Sequence, residues 1–512
     1  MNSDKSYIEK GGILFGTKKD RYYINGSDTH TLVIGATRSG KSRSIVLPTI
    51  GIEGLAGENM VVSDPKGELH QYTYPFLEAL GYNVFVLDFK NPDRSDHFNF
   101  LQEVIDAIND DNIPLAQKKA LDITEALVGN DTSSEKIWSE GEKSIMAACI
   151  LAVVYDNREH PEYQNLTNVY HFINNMCEMS DNPPLKRYID TIEALNPNHP
   201  ALALISATKV APSKTQGSFN ISALATLRLF ADINVYNLTK SNSFKIEDLN
   251  DQKTAIFIIL PDYNTTYYGV ASLFVDQIYT KHRCSRFTRR SFERVNFILD
   301  EFGNFAVIPD FATKLTVAGG RGIRFNLFLQ STAQLESDSK KVKYGKEGAR
   351  TIVGNCEYWI FLSSDLDTRK MISEEIGDYT TMSNSESNSY NGTRLFDMTG
   401  ANISASRNLM GRRLLKPEEL SLIERPEVLI VGSRPVIMHA YDLAKTPFNK
   451  MFGLGNVKHN TDVRAERYNR RKTEKINAVV ELWGIWRKYK KPAPRRSVFT
   501  DKNINMGEKI FK

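Results

Sequence analysis

One octapeptide in this chain has the residue types and spacing to hold a triphosphate. Gly35-Ala36-Thr37-Arg38-Ser39-Gly40-Lys41-Ser42 fits the pattern G-x-x-x-x-G-K-[ST]. In such a loop successive backbone N–H groups make a concave anion site at the mouth of a helix. The glycines let the backbone close on phosphate oxygens with no Cβ in the way. Lys41 is expected to reach the β- and γ-phosphates and the Ser42 hydroxyl to ligate Mg²⁺, so ATP and Mg²⁺ are the implied ligands. The alternative is a chance glycine turn, and the context argues against it. The β-branched run Thr31–Gly35 reads as a buried strand leading in, and Ser42 to Ile50 can open a helix leading out.

A second constellation lies far downstream. Val295-Asn-Phe-Ile-Leu-Asp300-Glu301 is an apolar strand ending in two acids, the Walker B pattern. Asp300 would hold Mg²⁺ through water. Glu301 would orient the attacking water or take its proton, since hydrolysis needs both a cation and a carboxylate near the nucleophile. An acidic strand-end cap is the bland alternative. Gln330 ends the next apolar run, Arg324 to Leu329, where a polar side chain can report the γ-phosphate. Arg321, in Gly319-Gly-Arg-Gly322, could reach a neighbouring subunit's nucleotide, with Arg324, Arg412 and Arg413 as competitors. Asp64-Pro-Lys-Gly-Glu-Leu69 follows a short strand and reads as a charged turn on the nucleotide side.

The elements that must position these residues follow from hydropathy. Apolar runs at Thr31–Gly35, Met60–Ser63, Asn83–Asp88, Thr254–Leu260, Val295–Leu299, Arg324–Leu329, Tyr358–Ser363 and Val428–Gly432 carry few charges, as strands buried on both faces do. Helical patterns lie between most of them, which predicts an α/β fold with a mostly parallel sheet. Residues 105–235 differ. They are dominated by helical patterns and read as an all-α insertion dividing a nucleotide-binding domain into 1–104 and 236–450. Residues 381–411, rich in Ser, Asn and Gly, read as a mobile loop.

Composition sets bounds. A chain of 512 residues suggests two or three domains, and 25% charged with 41% hydrophobic residues is ordinary for a soluble globular protein. Cys149, Cys177, Cys284 and Cys356 lie far apart without a C-x-x-C pair, which points to a reducing compartment and no zinc site. The longest apolar run, Ile145–Tyr155, is too short to span a bilayer and reads as a buried helix. The N-terminus lacks a signal-peptide core, so a cytoplasmic chain is expected, reaching the inner face of a membrane only through partners. Charge is uneven. Residues 450–512 hold 17 Lys and Arg against 6 Asp and Glu, although the whole chain is only +4. This basic tail, 451–512, interleaves aromatics with cations, and Ile476 to Trp486 reads as an amphipathic helix within it. Nucleic acid, an acidic partner or an anionic membrane surface would suit it, as would a solvated tail with one docked helix.

Taken together, GATRSGKS at 35–42, DPKGEL at 64–69, ILDEFGN at 298–304, RGIRFNLFLQSTAQL at 321–335 and RRLL at 412–415 resemble the type IV secretion coupling proteins, the TraG/TraD-like ATPases of conjugation. The resemblance spans about residues 11–440 and does not reach the tail. It implies a RecA-like P-loop NTPase domain interrupted by an all-α domain that helps select cargo. It also implies an ATPase that recruits single-stranded DNA bound to a relaxase, delivers it to a type IV secretion channel, and works as a homo-hexamer. By the resemblance, Gly40, Lys41 and Ser42 bind nucleotide and Mg²⁺, Asp300 and Glu301 serve metal and catalysis, Gln330 senses the γ-phosphate, and Arg321 acts in trans. Many members begin with two transmembrane helices. This chain starts almost directly at the nucleotide domain, so a separate membrane-anchor protein, or a soluble or truncated form, is expected. Two other functions fit parts of the pattern: a cytoplasmic FtsK/HerA-like duplex DNA translocase, and a non-hydrolysing NTP-gated cargo adaptor.

Overall fold

Fifteen strands are found in chain order among the described residues. They are β1 (Ile13–Lys18), β2 (Arg21–Asn25), β3 (His30–Gly35), β4 (Asn59–Ser63), β5 (Asn83–Asp88), β6 (Thr254–Ile259), β7 (Val295–Leu299), β8 (Ile323–Leu329), β9 (Ser337–Asp338), β10 (Lys341–Val342), β11 (Cys356–Ser363), β12 (Asp378–Tyr390), β13 (Ala401–Arg413), β14 (Glu427–Val431) and β15 (Val436–His439). The structure, a computed structural model, describes residues 7–19, 21–129, 136–177, 183–209, 211–261, 267–285, 294–338, 341–390 and 401–490.

Eleven of these strands form one sheet in the order β2-β1-β15-β14-β11-β3-β8-β7-β4-β6-β5. From β11 to β5 every neighbouring pair is parallel, and β14, β15, β1 and β2 extend the sheet antiparallel at one edge. The central strands are buried on both faces, which is why their sequences are nearly unbroken apolar runs. Alternate residues still point to opposite faces. Leu32 and Ile34 of β3 join one core cluster and Val33 the other. The expected strands are all present. The antiparallel edge, with β1, β2 and β15, was not anticipated.

Between β5 and β6 the described elements are all helical. The helix Lys136–Asp156 runs through their centre, with Ile145 to Val154 buried. It is packed by the helices Ile113–Val128, Pro200–Lys209 and Ser213–Leu227. No helix among the described residues is long and apolar enough to cross a membrane. The core of this helical segment is continuous with one face of the sheet, since Phe98, Phe100 and Ile145 share a cluster with Leu32, Val61 and Phe297.

Two local expectations are corrected. Residues 381–411 were expected as a loop, but the described part forms a two-stranded ribbon of β12 and β13 paired from Asp378↔Arg413 to Tyr390↔Ala401; residues 391–400 lie outside the described residues. Polar Ser, Thr and Asn residues hid strands whose two faces both meet water.

The stretch Ile476 to Trp486 was expected to be helical, yet 472–484 are extended or irregular, and only Trp486–Tyr489 forms a turn of helix. Tertiary partners replace intrahelical bonds there. Asn237 donates to Asn477 O (3.2 Å) and accepts from its N–H (3.0 Å); Asn168 donates to Glu481 O (3.0 Å) and accepts from Trp483 N–H (2.9 Å). The helix of the tail is Val457–Arg470, just upstream. Residues 491–512 lie outside the described residues.

Candidate nucleotide site

The parallel strands all end at one side of the sheet, and the expected residues collect there. β3 ends at Gly35. The loop 36–41 turns through left-handed backbone at Arg38 (φ 65°) and Gly40 (φ 94°). The chain then enters a helix whose first turns, Ser42–Val46, have π geometry before continuing as Leu47–Ala56. Ala36, Thr37, Arg38, Ser39, Gly40, Lys41 and Ser42 line a cleft of about 520 Å³, together with Asp64, Lys66, Asp300, Glu301 and Gln330.

The site is held by a few specific contacts. The Ser42 hydroxyl donates to Asp300 Oδ2 at 3.0 Å, joining the loop to the Walker B strand tip across the intervening strand β8. The Lys41 ammonium donates to Gly35 O, folded back along its own loop. Ser63 Oγ donates to the Asp300 carbonyl at 2.6 Å. Gln330 ends β8 with its Oε1 accepting from the Thr37 hydroxyl at 3.3 Å, while its backbone N–H donates to Gln334 Oε1 at 2.9 Å. Glu301 stands in left-handed backbone (φ 54°, ψ 39°) and accepts from Asn304 Nδ2 at 3.2 Å. A non-glycine residue held there costs about 1–2 kcal/mol, a cost that clusters at functional sites.

The electrostatics fit a charged ligand. Lys41 is buried, and that burial pulls its amine below the usual lysine range against the attraction of Asp300 and Glu301. Burial likewise pushes the Asp300 carboxyl up, opposed by Lys41 and the Ser42 hydroxyl. Each is therefore drawn toward its neutral form by incomplete compensation. Phosphate beside Lys41 and a divalent cation beside Asp300 would supply the missing charge. The buried Ser39 hydroxyl also lacks a hydrogen-bond partner. The residues present thus fit a nucleotide with Mg²⁺, held by the loop 35–42, Ser42 and Asp300.

Two residues lining the cleft were missed or under-read. Arg425 donates to Ser39 O at 2.6 Å and to Arg38 O, so a residue remote in sequence braces the phosphate loop. Only three-dimensional contact reveals it. Asp64 lies deeper than a charged turn should. It is 1% exposed, and burial pushes its carboxyl up to about 7.

Arg321 is the one expected site residue placed elsewhere. It closes the short helical turn Gly319–Arg321 at the start of β8, with Gln330 beyond the far end of that strand. Seven residues of strand separate them, about 23 Å at 3.3 Å per residue. Among its competitors, Arg324 is buried against Glu53 and Glu58, Arg412 pairs with Glu419 and Arg413 with Asp378.

Comparison with known proteins decides the family. Residues 2–443 match the family described as Type IV secretory system Conjugative DNA transfer. The chain belongs to that family. It is 26% identical over 433 residues to protein VirD4 of Agrobacterium fabrum, covering 81% of this chain and 58% of that protein. Against protein VirD4 of Rhizobium rhizogenes the figures are 25% over 444 residues, 83% and 59%. The chain therefore spans less than two thirds of the length of these relatives. It is also 23% identical over 455 residues to the conjugal transfer protein TraG of Escherichia coli, covering 84% and 68%. The fold matches the bacterial conjugative coupling protein TrwBdeltaN70 in its unbound form, with a TM-score of 0.59 at 16% identity over 87% of this chain and 92% of that one. It matches TrwB in complex with ADP and Mg²⁺ equally well, with a TM-score of 0.59 over 82% and 88%. These structural likenesses bear out the expected fold, a mostly parallel sheet flanked by helices, with the antiparallel edge as an addition to it.

Proposed function

We propose that this chain is the ATP-hydrolysing coupling protein of a conjugative type IV secretion system. The observation that carries the reading is the 3.0 Å bond from Ser42 to Asp300, which brings the two halves of an ATPase site together around one cleft. Support for ATP and Mg²⁺ as ligands comes from the charge imbalance at Lys41 and Asp300 and from the ADP- and Mg²⁺-bound relative.

When bound, Mg²⁺ neutralises charge that develops on the phosphates. The chain's own residues do the rest. The loop N–H groups and Lys41 hold the phosphates in place. Glu301 orients water and takes its proton. Gln330 senses the γ-phosphate in this reading, which its bond from the phosphate-loop residue Thr37 supports. Arg321 serves a neighbouring subunit's site, a role supported by its distance from its own. That arrangement requires an adjoining subunit, and a homo-hexamer is the assembly proposed.

The cargo in this reading is single-stranded DNA bound to a relaxase, passed to the secretion channel. Residues 105–235 form the all-α cargo domain, 1–104 with 236–450 the nucleotide domain, and 451–512 the tail. A separate membrane-anchor protein would hold the assembly at the inner face of the plasma membrane.

The test is ATP hydrolysis by the purified chain, alone and with single-stranded or duplex DNA, with Lys41→Ala as the blank. DNA-stimulated hydrolysis that the blank lacks is expected. Hydrolysis equal in the blank would remove the assignment.

A further inference from the structure

Asp64 carries two oxygens with different fates. Oδ2 accepts the His70 backbone N–H at 2.9 Å. That bond caps the helix Glu68–Ala79, whose N-cap residue, Gly67, has no side chain to do so. Oδ1 is buried, has no hydrogen-bond partner, and belongs to a residue lining the nucleotide cleft. A buried carboxylate oxygen without a donor is costly, and native structures rarely keep one without a purpose.

Register places this oxygen beside the chemistry. β4 and β7 pair in parallel with Ser63 opposite Leu299, so Asp64 and Asp300 follow at the same level on adjacent strands. Adjacent strands lie about 4.8 Å apart. The Ser63 hydroxyl bonded to the Asp300 carbonyl locks the two tips together. Two buried carboxylates at neighbouring tips repel each other unless a cation or its water lies between them. Mg²⁺ keeps several waters when it binds through few protein groups, and each of those waters needs an acceptor.

We propose that Asp64 is an additional positioning residue of the nucleotide site, capping its helix with Oδ2 and offering Oδ1 to a water of the Mg²⁺–nucleotide complex. The inference rests on the ATPase reading and names a residue that reading did not use. It makes a distinction that a purely structural role does not. A cap needs one acceptor oxygen, which asparagine supplies as well as aspartate does. A water-holding role needs the second oxygen, which asparagine replaces with a donor.

The experiment is calorimetric titration of ADP in excess Mg²⁺ and again in EDTA, for wild type and Asp64→Asn, with thermal melting of each protein without nucleotide. Asp64→Asn should melt no lower than wild type and bind ADP in EDTA with unchanged affinity. It should lose about 10–100-fold of the affinity gained on adding Mg²⁺, the usual loss when a partner behind a metal's ligand is removed. Should Asp64→Asn fail to fold, Asp64→Ser, whose hydroxyl also caps a helix, gives the same readout. Full retention of the Mg²⁺-dependent gain in either variant would overturn the proposal and leave Asp64 as a cap. If wild type itself gains nothing from Mg²⁺ while Asp300→Asn behaves identically, the nucleotide-site reading fails, and Asp64's role with it.

Discussion

Replacing Arg324 with methionine separates a structural arginine from a catalytic one. Arg324 is 2% exposed, in the strand Ile323–Leu329 that leads to Gln330. Its guanidinium donates to Gly11 O (3.2 Å), Asn25 O (3.4 Å), Glu53 Oε2 (3.5 Å) and Glu58 Oε2. The two acids are not equivalent. Burial pushes the Glu53 carboxyl well above its ordinary range, against the attraction of Arg324. Burial would raise Glu58 too, but Arg324, Asn296 and the Gly11 N–H outweigh it and leave the carboxyl lowered.

The ion pair is therefore Arg324 with Glu58. Breaking a buried pair from one side costs about 3–5 kcal/mol. Glu58 keeps bonds from Gly11 N (2.9 Å), Asn296 (3.1 Å) and Arg294 (3.2 Å), so the lower end, about 3 kcal/mol, is expected for Arg324→Met. In a domain of this size that lowers the melting temperature by about 6 °C. Glu53→Gln should cost less than about 1 kcal/mol, because the amide keeps the shape and an acceptor oxygen while burial already disfavours the charged carboxylate. The assay is thermal melting alongside ATP hydrolysis measured at 20 °C. An Arg324→Met protein that melts with wild type yet loses hydrolysis would refute this reasoning and restore Arg324 as a finger.

Further predictions follow from the same geometry. Asp64 keeps its proton in the folded state up to about pH 7, whereas the unfolded carboxyl loses it near 3.8. Stability should thus drain as pH rises through that window, on the order of 4 kcal/mol relative to Asp64→Asn; a flat difference between the two proteins would contradict burial as the cause. Trp483 stacks on Phe172 with ring centroids 5.5 Å apart, so Trp483→Ala should cost about 2 kcal/mol and expose 472–490 to hydrogen exchange. Unchanged protection would show that the strap is not held there. Arg321→Ala subunits should bind ATP but hydrolyse poorly, and mixing them with Lys41→Ala subunits should restore activity; absence of rescue at every ratio would remove the trans role.

The phosphate loop, the Walker B strand and Gln330 were legible because each is local. A strand pattern ends in the chemical residue, and the parallel sheet brings all the strand ends to one side. The second role of Asp64 was not legible, because a turn aspartate looks exposed until the neighbouring strands bury it. Arg425 lies far from the loop it braces and carries no pattern of its own.

The tail shows the clearest tertiary override. Its cations suit nucleic acid, an acidic partner, an anionic membrane or plain solvent; several are instead held by the chain itself, since Arg464 bonds Gln71 and Glu68, Arg467 bonds the carbonyls of Gln71, Tyr72 and Phe452, and Arg471 pairs with buried Asp88. Its apolar stretch looked helical by spacing, yet asparagines of the helical segment take its backbone bonds. The tail thus links the helix Glu68–Ala79 and the end of the edge strand β5 to the helices between β5 and β6. Removing 457–512 should therefore lower stability as well as any affinity for DNA.

The most direct test of the account is single-turnover hydrolysis by Glu301→Gln with Mg²⁺–ATP affinity measured in parallel. Glu301→Gln should bind Mg²⁺–ATP as tightly as wild type and hydrolyse it at least about 100-fold more slowly, since only the proton-accepting oxygen is lost. Hydrolysis at the wild-type rate would contradict the claim that this cleft is a working ATPase site with Glu301 at its centre.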